Sequence, residues 1–414
     1  MTVALLKYYE RNQQKSQTKF MKTGYSIRTW RMRLVCPEPI WLDRTEEYFQ
    51  NVVEFYYHLL RQHEELWNSS LFDIQRSLEL LTLAGRDGRQ PTNPLPMGKV
   101  PVYLRRAAIN KASATVKSTQ ELQSGFPEKL EAKVAFFKGM YSDLTDRSIC
   151  LKLWNGEKWI WTDCNLKGRP FPQDGQLMSP TLVKEGRRYL LNIPVKQENS
   201  DARTAKERMA EGTNLCSVRF TNTDTFAVCC ILDELGKQLA VHNCRGGDAY
   251  RHRCKLLETR IQKSRPNTVG DNSPQPNRKY YMHLKNLSEY YAHQVSREIL
   301  NFCKENQAGI IVLPDYDQNF TRMAMVKSGN FSPLHLSSKI RTNLQYKAWA
   351  EGILVLETRT DGLKDKCAIC GGRVRRKGNE FLCENGHQGN RFLNDARNLG
   401  RKCQDSFFRR SRTK

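Results

Sequence analysis

The segment from Cys367 to Asn398, CAICGGRVRRKGNEFLCENGHQGNRFLNDARN, constrains the fold more than any other part of the chain. Cys367 and Cys370 form a Cys-x2-Cys pair, which on a tight turn points two thiolates at one ion. After a strongly basic, glycine-containing turn, Cys383 and His387 add a Cys-x3-His pair. Two such pairs close a tetrahedral site, so the spacing predicts zinc held by Cys367, Cys370, Cys383 and His387. His387 is the ligand that a loop residue or water would most easily replace. Four protein ligands leave no open coordination position, which makes the expected zinc structural rather than catalytic. The cluster leads directly into Asn394-Asp395-Ala396-Arg397-Asn398, which opens a helix.

A chain of 414 residues is long enough for two or more domains, and its net charge of +24 far exceeds what solubility needs. Such an excess implies a polyanionic partner whose phosphates replace released counterions, and nucleic acid is the leading class. An anionic membrane is the weaker alternative, because no long apolar run or amphipathic anchor accompanies the charge. The 13 cysteines are odd in number, and Cys229-Cys230 lie side by side in an apolar run. Buried reduced thiols in a reducing compartment fit that pattern better than a disulfide framework. The first residues carry only a very short apolar patch, so no secretory signal is expected, and a cytoplasmic, nucleoid-associated bacterial protein is.

Tyr25 to Cys36 alternates apolar and basic residues at strand period, which could turn Arg28, Arg31 and Arg33 toward phosphate. Residues 40–87 switch to helical spacing, a Gly/Pro-rich loop follows from Gly85 to Pro101, and a second helix begins at Val102. Leu104, Ala108, Ala112 and Val116 share one face of that helix, while Arg105, Arg106, Lys111 and Lys117 lie elsewhere, as a solvated face or a nucleic-acid contact. A hairpin on Asn155-Gly156 and a strand from Tyr189 to Val195 restore period two. Strands before and after a helical insertion suggest one β domain interrupted by a helical lobe. Trp30 and Tyr103 could stack on bases, although such aromatics more often join a core.

Three short apolar strands follow, at Ser217–Thr221, Phe226–Leu232 and Leu239–Asn243, then a basic segment and a polar loop to Arg278. A helix from Tyr280 to Asn306, a strand from Gly309 to Leu313, a helix near Leu334 to Ala350 and a strand from Ile353 to Leu356 complete the pattern. Three antiparallel strands followed by alternating helix and strand is the order of a ribonuclease-H-like α/β core.

These residues resemble a family. GIIVLPDY at 309–316, SSKIRTNLQYKAWAEGILVLE at 337–357, the CAIC pair and GNRFLNDARN at 389–398 together are similar to the C-terminal half of TnpB proteins and compact type V-F CRISPR effectors. The likeness is specific over the last quarter of the chain, ordered back to Cys216, and before that one of layout. It implies a multidomain α+β protein: a flexible start (1–20), a wedge β-barrel (21–36 and 128–197) interrupted by a helical recognition lobe (37–127), then a RuvC-like domain (198–361 and 392–414) with a zinc-containing insert (362–391).

In such nucleases three carboxylates bind two Mg²⁺ ions for in-line phosphodiester hydrolysis. Aligning the motifs puts Thr221, Pro314 and Phe392 at the three carboxylate positions, and none of these ligates Mg²⁺ as a carboxylate does. The resemblance therefore implies a catalytically dead RuvC domain without Mg²⁺ in a protein that keeps guide-RNA and double-stranded target-DNA binding. Asp224, Asp315 and Asp395 lie within three residues of the vacant positions and offer a displaced active site as the competing reading. An unguided, transposon-associated zinc DNA-binding protein is the third.

In guided systems base pairing reads sequence while the protein reads backbone shape, so the expected contacts are cations. The candidates are Arg28, Arg31, Arg33, Arg105, Arg106, Lys111, Arg375, Arg376, Lys377, Arg397 and Arg401, with Lys402, Arg409, Arg410 and Arg412 in a basic tail. Occupancy without cutting would serve transcriptional regulation or interference, or recruit transcription machinery or another effector protein. Likeness to type V-F effectors implies a homodimer on one guide, and likeness to TnpB proteins a monomer.

Overall fold

The computed structural model describes residues 24–85, 87–122, 125–172, 174–199, 201, 203–264, 277–316 and 332–409. Residues 1–20 and the tail cations Arg410 and Arg412 lie outside them. Two compact units emerge, one from Ile27 to Gln197 and the other from Glu198 onward with the short run up to Ser26.

The first unit carries β1 (Tyr25–Val35), α1 (Pro39–Gln62), α2 (Leu71–Thr82), α3 (Val102–Leu122), β2 (Tyr141–Ser142), β3 (Ser148–Trp154), β4 (Trp159–Lys167), β5 (Gln176–Leu177), β6 (Thr181–Glu185) and β7 (Arg188–Glu198). Its seven strands form one sheet in the order β2-β3-β4-β1-β7-β5, with β6 also on β7. The sheet is a half-barrel with free edges among the described residues, where the sequence suggests a barrel. One core runs through strands and helices alike, joining Met32 and Leu34 of β1 to Phe49 and Val52 of α1, Leu104 and Ala108 of α3, and Ile149 and Leu191 of the sheet. Each fully buried Leu or Phe contributes roughly 1.5–3 kcal/mol, so this shared core holds the helices against one another and against the sheet. Tyr56 adds a buried hydrogen bond to Thr82, 3.0 Å away.

The second unit begins with α4 (Ala205–Ala210), β8 (Leu215–Phe220), β9 (Ala227–Leu232), β10 (Gln238–Cys244), α5 (Gly247–Lys263) and α6 (Arg278–Glu305). It continues with β11 (Ile310–Asp315), α7 (Ser337–Trp349), β12 (Leu354–Arg359), β13 (Val374–Lys377), β14 (Glu380–Cys383), β15 (Gln388–Asn390) and α8 (Arg391–Arg409). Five strands order as β10-β9-β8-β11-β12, with β8 to β10 antiparallel and β11 parallel to both β8 and β12. Both faces are covered, which explains why β8 and β9 read as near-continuous apolar runs. Cys216, Val218, Ile311 and Leu313 pack with α6 and α7, whereas Leu215, Ile310, Val312 and Leu354 pack with Ala396 and Leu399 of α8. The basic segment after β10 is a full helix, α5, anchored by Tyr250, Cys254 and Ile261.

Arg208 of α4 is fully buried. Its guanidinium donates to the carbonyls of Arg203, Gly309, Gly352 and Asp201 at 3.1, 2.7, 2.6 and 2.7 Å, tying α4 to the turns that start β11 and β12.

Candidate nucleic-acid interface and metal centre

β13, β14 and β15 form a small antiparallel sheet, with Cys367 and Cys370 in the turn ahead of β13, Cys383 at the end of β14 and His387 in the turn before β15. Sγ of Cys367, Cys370 and Cys383 and a ring nitrogen of His387 all lie within 4.8 Å of one another. Ligands 2.0–2.3 Å from one ion stand about 3.3–3.8 Å apart in a tetrahedron, so the cluster is close to the size zinc needs. The backbone is shaped for thiolates. Ile369 N and Asn385 N donate to Cys367 Sγ and Cys383 Sγ, both at 3.4 Å. Each turn closes on a glycine with positive φ, Gly371 at 77° and Gly386 at 83°. A hydrogen bond from the Asn385 side chain, then one from the Gly372 backbone and the Cys383 side chain, lower the Cys370 thiol to about 6. His387 Nδ1 is buried with no hydrogen-bond partner among the described residues, an orphan that a metal would satisfy.

The helix start that follows the cluster fastens it. Asn394 Oδ1 accepts from Ala368 N at 2.8 Å and its Nδ2 donates to the Lys366 carbonyl at 2.8 Å. Asn398 Nδ2 donates to the Leu363 and Lys366 carbonyls at 3.0 and 2.8 Å. Arg401 donates to the Ala368 and Gly236 carbonyls and Arg397 to Gln238 Oε1, so both of these expected nucleic-acid contacts are engaged within the fold. Arg397 and Arg401 thus help to dock the last helix on the second unit's sheet and the cysteine turn.

At the end of β8 the three vacant positions take different surroundings. Thr221 is buried and turned into the β8–β9 hairpin, its hydroxyl bonded to Thr223 Oγ1 at 2.9 Å and to the Thr225 carbonyl. Pro314 is buried beside β12, and Phe392 is buried under the Arg391 guanidinium, 4.6 Å from its ring centroid. A pocket of about 200 Å³ beside Thr221 and Phe392 is lined by Arg219, Lys364, Arg376, Arg391 and Asp395 among others, without Pro314. Arg219, on the α8 face of β8, is the residue that sequence reasoning missed. Its one signal is a charge inside the otherwise buried strand LCSVRF.

Asp395 is buried and doubly paired. Its Oδ2 is 3.2 Å from Arg219 Nε and its Oδ1 is 2.6 Å from Arg376 Nη2. Arg219 also donates to Tyr316 Oη. Burial first, then the Arg376 charge, hold Arg391 below the usual guanidinium range, against the opposing pull of Asp395. The other displaced candidates stand elsewhere. Asp315 follows Ile311 and Leu313 onto the α7 face of a regularly paired β11, opposite to α8, and Asp224 Oδ1 accepts from Asp248 N at 3.1 Å. Among the described residues no cluster of three close carboxylate, His or Cys ligands includes Asp224, Asp315 or Asp395.

The remaining cations divide by partner. Arg105 is buried and, with Arg106, donates to the Glu79 carboxylate, while the Arg106 side chain stays 45% exposed. Arg31 pairs with Glu185, and Arg376 with Asp395 and the Lys364 carbonyl. Arg33, Lys111, Arg375 and Lys377 are exposed, while Arg28 is half-buried. Strand alternation separates the basic turn: Arg375 and Lys377 face outward while Arg376 faces α8. Lys402 donates to the Asp361 carbonyl at 3.0 Å. Trp30 packs partly on the first unit's core, and Tyr103 is largely exposed.

Residues 26–155 match the Aq_aa04 family model. The chain superposes on a Cas12f1 solved with sgRNA and target DNA at a TM-score of 0.51 and 11% identity, covering 91% of this chain and 99% of that one. It also superposes on the mini RNA-guided endonuclease CRISPR-Cas phi3 at 0.50 and 10% identity, covering 98% and 97%. The fold is that of compact type V CRISPR effectors. No curated protein sequence matches the chain. The type V fold here carries its zinc-type cluster and its cation-lined pocket on one unit, joined through α8. Among the described residues no helix is long and apolar enough to cross a membrane.

Proposed function

We propose that the chain is an RNA-guided DNA-binding protein that occupies its target without cutting it. The observation that carries this reading is the pocket at the end of β8, where Arg219, Lys364, Arg376 and Arg391 surround a single carboxylate, Asp395, whose two oxygens are both taken by arginines. Hard Mg²⁺ needs charged oxygen ligands and is repelled by guanidinium groups, so four cations around one engaged carboxylate oppose a two-metal site. The net charge of +24 and the exposed Arg33, Lys111, Arg375 and Lys377 suit backbone contact with guide RNA and target DNA.

In this reading 21–36 and 128–197 are the wedge, 37–127 the recognition helices, 198–361 and 392–414 the RuvC-like domain, and 362–391 a zinc-held insert. Cys367, Cys370, Cys383 and His387 would hold zinc as a structural ion that fixes the insert on α8. The outcome is regulation or interference by occupancy in the cytoplasm. RNA co-purifying with the protein tests guidance: a discrete structured RNA with a variable end is expected, and nucleic-acid-free protein that still binds DNA would instead support an unguided DNA-binding protein.

A further inference from the structure

We propose that the pocket at the end of β8 is a metal-free phosphodiester site, in which guanidinium and ammonium groups hold a nucleic-acid phosphate directly. Arg219, Lys364, Arg376 and Arg391 set four positive charges against the one carboxylate of Asp395. Like charges gathered in a partly buried space are unfavourable unless an anion joins them. Both oxygens of Asp395 are already engaged, which leaves the excess charge uncompensated.

Arg391 supplies the second, independent sign of a ligand. Its Nε is buried and has no hydrogen-bond partner among the described residues, and buried donors of that kind are rare unless something binds them. Stacking on Phe392 fixes the guanidinium plane, so the phenyl ring at the vacant carboxylate position acts as a platform for a cation. Lys364 is exposed at the rim and has no ion-pair partner among the described residues.

The space suits a phosphate within a strand. The pocket holds about 200 Å³, against roughly 30 Å³ for a water in the liquid. Asn222 and Arg391 also line a neighbouring, wide and polar groove of about 740 Å³, with Thr223, Asn379, the carboxylates of Asp224 and Asp248, and Arg251, which pairs with Asp248, along it. A flexible single strand can run along that groove and place one phosphate among the cations, where charge-assisted hydrogen bonds to its non-bridging oxygens replace released counterions. This deepens the guided-binding reading by naming how a strand is held, but its test needs no guide.

The test uses full-length protein with short oligothymidylate and oligouridylate, in EDTA and in Mg²⁺, with inorganic phosphate as a competitor. Affinity is read by anisotropy and the site itself by protection of Arg391 from phenylglyoxal. Equal affinity with and without Mg²⁺, Arg391 protection by both oligonucleotides, and about tenfold weaker binding in Arg391→Gln with Lys364→Gln are expected. The salt slope in that variant should fall by about 0.7 for each phosphate no longer neutralised. Asp395→Asn removes the competing carboxylate and should strengthen binding, the opposite of what loss of a metal ligand would do. Unchanged affinity and slope in the double variant at an unchanged melting temperature would overturn the proposal, as would binding lost in EDTA and restored by Mg²⁺. Protection of Arg391 by inorganic phosphate but by neither oligonucleotide would overturn it too. Absence of co-purified RNA would count against guidance alone and leave these readouts standing.

Discussion

Arg219 Nε stands 3.2 Å from Asp395 Oδ2, joining the central strand of the second unit to the second turn of its last helix. Arg376 reaches the other oxygen from the small sheet at 2.6 Å, so one carboxylate links strand, helix and zinc-type module. The side chain of Asp395 is 3% exposed and those of Arg219 and Arg376 13% and 23%, which places the triad mostly out of water. Asp395→Ala leaves two arginines partly buried and unpaired, and should lower unfolding free energy by about 3–5 kcal/mol in urea titrations. Asp395→Asn, which keeps an acceptor, should cost less. Unaltered stability in both would show that the triad is only a surface arrangement.

Removing the metal should loosen the same junction. Cys367→Ser with Cys370→Ser is expected to abolish bound zinc, measured by atomic emission, and to lower the melting temperature by roughly 5–10 °C, at about 2–4 °C per kcal/mol. Full zinc content in that variant would refute the ligand assignment.

Arg208 offers a test of the fold itself. Its four carbonyl bonds and its 3.4 Å pairing with Asp201 sit in a fully buried position that lysine cannot match with three donors on a single nitrogen. Arg208→Lys and Arg208→Ala should both destabilise, the latter by about 3–5 kcal/mol, read by chemical denaturation.

A pH dependence follows from β10 and α6. The Cys244 side chain, with Glu298 Oε1 2.6 Å from His242 Nε2, raises His242 to about 9 against the opposing effect of burial. A histidine raised above its unfolded value of about 6.5 contributes stability that is complete below that pH and lost as pH climbs through about 9. Denaturation of wild type and His242→Gln should therefore differ most just below pH 6.5, less as pH rises, and converge in alkali. A difference that grew with pH would contradict the pairing.

Much of this architecture is legible from local pattern. The ligand spacing and the apolar runs of β8, β9 and β11 depend on neighbours in sequence, and Leu104, Ala108, Ala112 and Val116 are all buried as their spacing predicts. The partners of charges are not legible in this way. Arg219 and Asp395 are separated by 176 residues, and Arg105 finds Glu79 on another helix. α5 is hard to read because Tyr250, Cys254 and Ile261 are its few large buried residues, too sparse a stripe to reveal a helix within RHRCKLLETRIQKSR. The roles of Asn394 and Asn398 are equally hidden in the sequence, since the carbonyls they bind belong to the loop ahead of the cysteines.

The most direct measurement loads the protein with its co-purified RNA, adds an end-labelled duplex matching the guide, and follows binding and strand integrity together in Mg²⁺ and in Mn²⁺. Stable, guide-dependent occupancy with both strands intact is expected, at the same affinity in EDTA. Guide-dependent cleavage that disappears in Asp224→Ala or Asp395→Ala would contradict it.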